Sequence, residues 1–392
     1  MIPVNEPLLA KNTLSYVSDC ITSGWISSAG AYIQKFETAF AAYIGVKHAV
    51  TTTSGTTALH LALAAAGIGT GDEVIIPDLT MIAVPYAVVY TGAKPVFIDV
   101  DRTMFNMDPE RLCEFLTGGC RYDGKKKALV NKRTGSRVRA VLPVHLYGHP
   151  CPMNEILSLA RKYGLLVIED AAEAHGALYF PDGERAKAVK AGAIGDVGCF
   201  SFYANKIVTT GEGGMVVTSD DKVAERARRL KDLAHSPRKR FLHTELAFNY
   251  RMTNVQAAIG LAQLEEIETS IAIKQKMAAA YKKHLSGIPG LTLPEEKPWA
   301  RNVYWMYAVL IGKEFGLSRD EVMRRLLEAG VDTRSFFIPV HEQPVFAKDS
   351  AYRGLSFPVS RELSKKGLYL PSGLALTMTQ IDEVCRAVKS IR

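Results

Sequence analysis

Asp196-Val197-Gly198-Cys199-Phe200-Ser201-Phe202-Tyr203-Ala204-Asn205-Lys206 carries an apolar, strand-like run into a single lysine, and Thr209-Thr210-Gly211-Glu212-Gly213-Gly214 follows as a glycine-rich turn. Phe200, Phe202 and Tyr203 beside it would desolvate Lys206 and depress its pKa, making a neutral, nucleophilic amine available. The glycines let the backbone turn tightly and approach a planar ligand. Upstream, Leu165-Leu166-Val167-Ile168-Glu169-Asp170 reads as a second buried strand ending on a carboxylate. An amine and a carboxylate at two strand ends of one sheet suit one cofactor chemistry. The amine can hold an aldehyde as an imine. The carboxylate, costly to bury without a cation, can keep a pyridine ring protonated. The pairing points to pyridoxal phosphate. Taken singly, each residue has a plainer reading: a turn lysine, and an aspartate capping a helix.

Around these two segments, β-branched runs alternate with helical patterns. Strands are expected at 49–51, 74–76, 95–99, 140–144, 165–169, 199–202 and 215–218. Helices are expected at 56–66, 80–91, 108–117, 152–163 and 220–232. This alternation predicts an α/β fold with a largely parallel, seven-stranded sheet covered on both faces. Thr253-Asn254-Val255-Gln256 fits a capping box and opens a helix expected to run unbroken to about Leu285. Beyond it, strand-like 303–311 and helix-like 318–329 and 378–391 read as a smaller α+β unit. The expected division is 1–264 and 265–392, entered through the long helix.

Composition sets bounds. The 392 residues are 47% hydrophobic and 22% charged, as in ordinary globular proteins. No apolar run is long enough to span a membrane, and no basic, then apolar, leader opens the chain. Six scattered cysteines form no CxxC pair and no Cys/His cluster with metal-like spacing; no metal is expected, and reduced thiols suit a cytoplasmic protein. The net charge of +8 is concentrated. Arg121, Lys125, Lys126, Lys127, Lys132, Arg133, Arg137 and Arg139 face one acid, Asp123, within residues 121–139. This segment reads as a solvated loop or β-hairpin excursion. With only Tyr122 as an aromatic, it is a poor nucleic-acid patch and is equally consistent with attraction for small anions.

Other residues join the candidate site. Thr53-Ser54-Gly55-Thr56-Thr57 separates a strand from an Ala/Leu-rich helix, and a helix start can hold a phosphate. Ser201 can add a phosphate contact, and Glu173 can reach a ring hydroxyl. His341 either touches substrate or is a structural histidine. Gly211-Glu212-Gly213-Gly214 opens no βαβ helix, so a dinucleotide fold is poorly supported.

In order along the chain, several segments resemble the DegT/DnrJ/EryC1/StrS family of nucleotide-sugar aminotransferases. They are Ser23-Gly24-Trp25-Ile26-Ser27, Ser54 to Leu59, Pro77 to Ala83, Glu169-Asp170-Ala171-Ala172-Glu173-Ala174-His175-Gly176, Phe200 to Gly214 and Asn249-Tyr250-Arg251-Met252-Thr253-Asn254. The resemblance implies the aspartate-aminotransferase-like (type I) fold and pyridoxal 5'-phosphate held by Lys206. It implies Asp170 at the ring nitrogen, Glu173 at the ring hydroxyl, Met81 on the ring face, and Gly55, Thr56 and Ser201 at the phosphate. It further implies Asn249 reaching the phosphate of a partner subunit, hence a homodimer with a shared site. Trp25, Ser27, Arg251 and His341 would line the sugar-nucleotide pocket. The implied reaction moves an amino group from L-glutamate to C4 of a 4-keto-6-deoxy nucleotide sugar, GDP-linked first, UDP- or dTDP-linked or 3-keto as alternatives, for polysaccharide synthesis. Related 3-dehydratases carry histidine in place of the lysine, so Lys206 argues against dehydration. A cofactor-bound regulator without turnover is the alternative outside catalysis.

Overall fold

A computed structural model describes residues 1–125, 127–236, 238–239 and 241–392. Lys126 of the basic run lies outside the described residues. The strands of the first half are β1 (His48–Thr52), β2 (Asp72–Pro77), β3 (Lys94–Ile98), β4 (Cys120–Asp123), β5 (Ala128–Asn131), β6 (Arg137–Val141), β7 (Leu166–Asp170), β8 (Leu178–Tyr179) and β9 (Val189–Lys190). They are followed by β10 (Val197–Ser201), β11 (Gly214–Thr218), β12 (Leu291–Thr292), β13 (Ala300–Arg301), β14 (Tyr307–Ile311), β15 (Arg334–Ser335) and β16 (Gly367–Leu370).

All seven expected strands form, in the order β1-β11-β10-β7-β6-β2-β3. From β10 to β3 the neighbours are parallel, and β11 is antiparallel to both of its partners. Strands such as β2, β10 and β11 are buried along their whole length, because helices cover both faces. The basic excursion is a hairpin: β4 pairs with β5, which touches β6 through Val130 and Arg137, so the sheet has nine strands. The helices between strands start where sequence chemistry predicts. Ser54 and Thr253 form capping boxes, and Asp108 and Asp220 accept first-turn amides.

Two expectations differ in detail. The helix at 109–114 widens into a π-turn over Phe115–Gly119, where Gly118 and Gly119 lead into β4. The long helix is two helices, Asn254–Glu265 and Ile267–Leu285, separated at Glu266 (φ −110°, ψ 14°). The side chains at this break are engaged elsewhere: Glu265 accepts from Asn12 and Tyr16, and Glu266 from the Lys11 amide. A second, antiparallel sheet of order β12-β14-β16-β15 has its own core, including Tyr281, Tyr307, Leu326, Leu368 and Val384. Ile2 joins that core and bridges to Val331. β8 and β9 form a small third sheet with β13.

Candidate active site

The parallel register sets the site. Cys199 of β10 pairs with Asp170 of β7, so β7 ends on a carboxylate beside the strand that leads through Ser201 to Lys206. Active groups at the carboxyl ends of parallel strands are the rule in such sheets. Lys206 closes a turn by donating its amide to the Tyr203 carbonyl (2.9 Å). Its Nζ lies 3.6 Å from Glu173 Oε1 and 3.5 Å from the centre of the Trp305 ring. Burial lowers the pKa of this amine, and the nearby Glu173 and Asp170 carboxylates partly counter that.

Glu173 is in turn aimed by the backbone. The Tyr147 amide donates to its Oε2 at 2.7 Å. Tyr147 has φ 55°, an uncommon conformation for a bulky residue, and Gly148 follows at φ 97°. Burial pushes the Glu173 carboxyl up to about 7, with Lys206 pulling against it. His175 is buried against Phe200 and Phe202, neither ring nitrogen finding a hydrogen-bond partner among the described residues, and burial holds its pKa down at about 3. It is therefore neutral and adds no charge under Lys206.

Whether pyridoxal phosphate fits can be judged from two neighbouring carboxylates. Glu169 and Asp170 are both buried, and strand alternation sends them to opposite faces. Glu169 is saturated: it accepts from His145 Nε2 and from the amides of Gly192, Ile194 and Gly195. Asp170 accepts only the Ala172 amide (2.9 Å) and has no ion pair among the described residues. Burial raises its pKa, so a cationic partner would be strongly favoured there. A ring nitrogen supplies one. The phosphate cradle is equally specific. A Cβ on Gly55 would lie 2.6 Å from the Ser201 Cβ, so glycine lets the start of the helix Gly55–Ala65 press against Ser201. First-turn amides there are natural anion donors. The residues present fit the cofactor.

The sequence pattern of the DegT/DnrJ/EryC1/StrS aminotransferase family matches residues 7–389. The chain belongs to that family. It is similar to GDP-perosamine synthase of Caulobacter vibrioides, 42% identical over 100% of this chain and 98% of that protein. It is likewise similar to GDP-perosamine synthase of Vibrio cholerae, 39% identical over 100% and 99% of the two chains. Among solved structures, S. venezuelae DesV superposes with a TM-score of 0.85, 34% identity and coverage of 97% of this chain and 94% of that one. The chain is thus a pyridoxal-phosphate-dependent aminotransferase with the type I fold.

The remaining predicted residues scatter more widely. Met81 is 47% exposed in the loop after β2. Trp25 and Ser27 are exposed, and their carbonyls anchor the Asn254 side chain and amide. Asn249 is exposed and accepts from Arg251, which also pairs with Asp232 (2.9 Å). No hydrogen bond or ion pair among the described residues ties these five to Lys206. His341 is buried, its Nδ1 2.7 Å from Asp78 Oδ2 while its amide donates to Asp78 Oδ1. That clamps the loop after β15 onto the end of β2.

The sequence reading missed three groups: Trp305, Tyr147 and Lys274. Trp305 covers Lys206 and donates its indole N–H to the Asn205 carbonyl (2.7 Å). Lys274 holds the Trp305 carbonyl from behind (2.7 Å). Nothing local in the segment Tyr304-Trp305-Met306-Tyr307 points to Lys206.

Proposed function

We propose that this enzyme transfers the amino group of L-glutamate to C4 of GDP-4-keto-6-deoxy-D-mannose, giving GDP-perosamine and 2-oxoglutarate. The observation that carries the reading is identity of about 40% over the whole chain with proteins named GDP-perosamine synthase. In the balanced reaction the donor's amine and the acceptor's carbonyl oxygen exchange places. When bound, the cofactor supplies an aldehyde for the amine and a ring that spreads negative charge.

The chain's own residues do the rest. Lys206 Nζ, whose pKa burial lowers, takes the proton from the donor's Cα and, in the acceptor half of the cycle, delivers one to C4 of the sugar. Glu173 stays within reach of that amine, held in place by the Tyr147 amide. Asp170 keeps a positive charge on the ring nitrogen. Gly55, Thr56 and Ser201 grip the phosphate, with Met81 against the ring. Trp25, Ser27, Arg251 and His341 line the sugar-nucleotide side in this proposal. Asn249 enters from the partner of a homodimer, which agrees with its exposure in one chain. The proposed division into residues 1–264 and 265–392 is supported by the separate core of the second sheet. Among the described residues no helix is long and apolar enough to cross a membrane. The six cysteines are unpaired, which supports a reducing, cytoplasmic setting.

The test is a panel of GDP-, UDP- and dTDP-linked 4-keto-6-deoxy sugars and a 3-keto sugar, each with glutamate. The expected result is the highest kcat/KM with the GDP-linked 4-keto sugar and ping-pong kinetics. Preference for a UDP- or dTDP-linked or 3-keto acceptor would replace the substrate assignment. Cofactor binding without amine transfer to any acceptor would replace the enzymatic one.

A further inference from the structure

The basic hairpin builds a cleft of about 700 Å³ at the far side of the sheet from Lys206. Its walls come from β4, β5, the start of β6 and the end of the helix Met153–Tyr163. These are the amino-terminal ends of β6 and β7, whereas Asp170 closes the carboxyl end of β7. Among the described residues six cations line the cleft, Arg121, Lys127, Arg137, Arg139, Arg161 and Lys162, and no aspartate or glutamate does.

Some of this charge is already answered. Arg137 pairs with Asp72 (2.7 Å) and Arg161 with Asp196 (2.8 Å). Arg161 and Lys162 also sit in the last helical turn, where cations offset the helix dipole. Arg121, Lys127 and Arg139 remain, with no ion pair among the described residues. Arg139 is the informative one. Glu73 pairs with Val138 and Val74 with Ala140, so Arg139 is the extra residue of a β-bulge. Bulges re-aim a side chain, and this one places Arg139 on the cleft wall with its Nε buried and unpartnered. The Nε is closed off from solvent, but Arg139 as a whole is only partly buried, so its outer guanidinium nitrogens can meet an anion in the cleft.

We propose that this cleft is a second binding site, separate from the Lys206 site, for a diphosphate anion, either free or carried by a nucleotide. Planar guanidinium groups suit phosphate oxygens. A cleft of this volume suits a small molecule rather than a polymer. The proposal does not depend on which sugar the enzyme aminates.

Calorimetric titration of the cofactor-loaded enzyme with inorganic pyrophosphate tests it, with GDP as a second arm. Anion held in the sugar-nucleotide pocket is untouched by changes in the cleft, so the difference between variants is the readout. Arg121→Gln/Lys127→Gln, both at exposed positions, should weaken a pyrophosphate site by roughly tenfold or more at low salt, and adding Arg139→Gln should remove it. Transamination rates should be unchanged in the double variant. Loss of GDP binding in parallel assigns the site to nucleotides; loss of pyrophosphate alone assigns it to the free anion. Undiminished binding of both in the double variant, or no pyrophosphate binding by the wild type at low salt, overturns the site.

Discussion

Lys206, at the turn after β10, and Lys274, in the helix Ile267–Leu285, are both taken out of water, and burial lowers the pKa of each. Their partners differ in kind. Lys206 faces a carboxylate at 3.6 Å and an aromatic face at 3.5 Å. Lys274 meets no carboxylate among the described residues; it donates to the main-chain carbonyls of Trp305 and Ser372, on two segments that flank β14 and β16. A carbonyl held by a buried lysine amine is a fixed strut. A long ion pair and a π face can release the amine when a better partner arrives. Burial thus provides the lowered pKa in both regions, and the type of partner decides whether the lysine reacts or braces. The two regions share one residue, since Lys274 holds the carbonyl of Trp305 while the ring of Trp305 covers Lys206.

The comparison breaks most sharply at Lys206. Lys206→Ala should abolish turnover, by several orders of magnitude as for other residues that act as a catalytic unit. Its melting temperature should change little, because a buried, poorly paired amine contributes little to stability. Substantial remaining transaminase activity would remove the role assigned to this amine. The next effect separates the adjacent carboxylates. Asp170→Asn should lower kcat by roughly 100-fold, as loss of a preorganised charge does, with a near-normal urea midpoint. Glu169→Gln should do the reverse, destabilising by about 2–4 kcal/mol because an amide presents a donor to groups that already donate. Urea melts and steady-state rates on the two variants check this; equal effects on both properties would sink the distinction.

Much of this was legible in the chain. Most of the seven expected strands stand out because burial on both faces, complete in β2, β10 and β11, gives short apolar runs. Lys206, Asp170 and the Ser54-Gly55-Thr56 helix start were readable because each ends or follows such a run. The helices Thr13–Ser23 and Ala31–Ile44 were not among those expected; the first buries only Thr13 and Cys20, too narrow a stripe to show a period. The break at Glu266 was equally hidden, because helical periodicity continues across it. Trp305 and Lys274 were hidden for another reason. Their partners, Asn205 and Ser372, lie 100 and 98 residues away, and only the folded chain brings them together.

A smaller effect concerns Lys274 and pH. Its pKa is pushed down to about 7 from the ordinary 10.5. Between those values the unfolded chain holds a proton that the folded chain has released, so the wild type gains stability as pH rises through this window, by at most about 1.4 kcal/mol per unit. Other groups titrate there too, so Lys274→Met is the reference. Urea melts at pH 7, 8 and 9 should show the wild type gaining relative to the variant. A constant difference across that range would mean that Lys274 stays charged in the fold.

The smallest expected effect tests the link between the two lysines. Trp305→Leu removes the ring from Lys206 and the indole donor from Asn205, while Trp305→Phe keeps a ring face and loses only the donor. The face favours the ammonium form by roughly 0.5–2 kcal/mol. Without it, the Lys206 pKa should fall further, by roughly 0.4–1.5 units. Because only the neutral amine captures an aldehyde, the rate at which cofactor-free protein takes up pyridoxal phosphate should rise with pH and level off near that pKa. The levelling should come at lower pH in Trp305→Leu than in the wild type, with Trp305→Phe between them. Superimposable profiles for all three proteins would show that the ring packs against the amine without setting its charge, and would leave Glu173 and Asp170 as the groups that balance burial at Lys206.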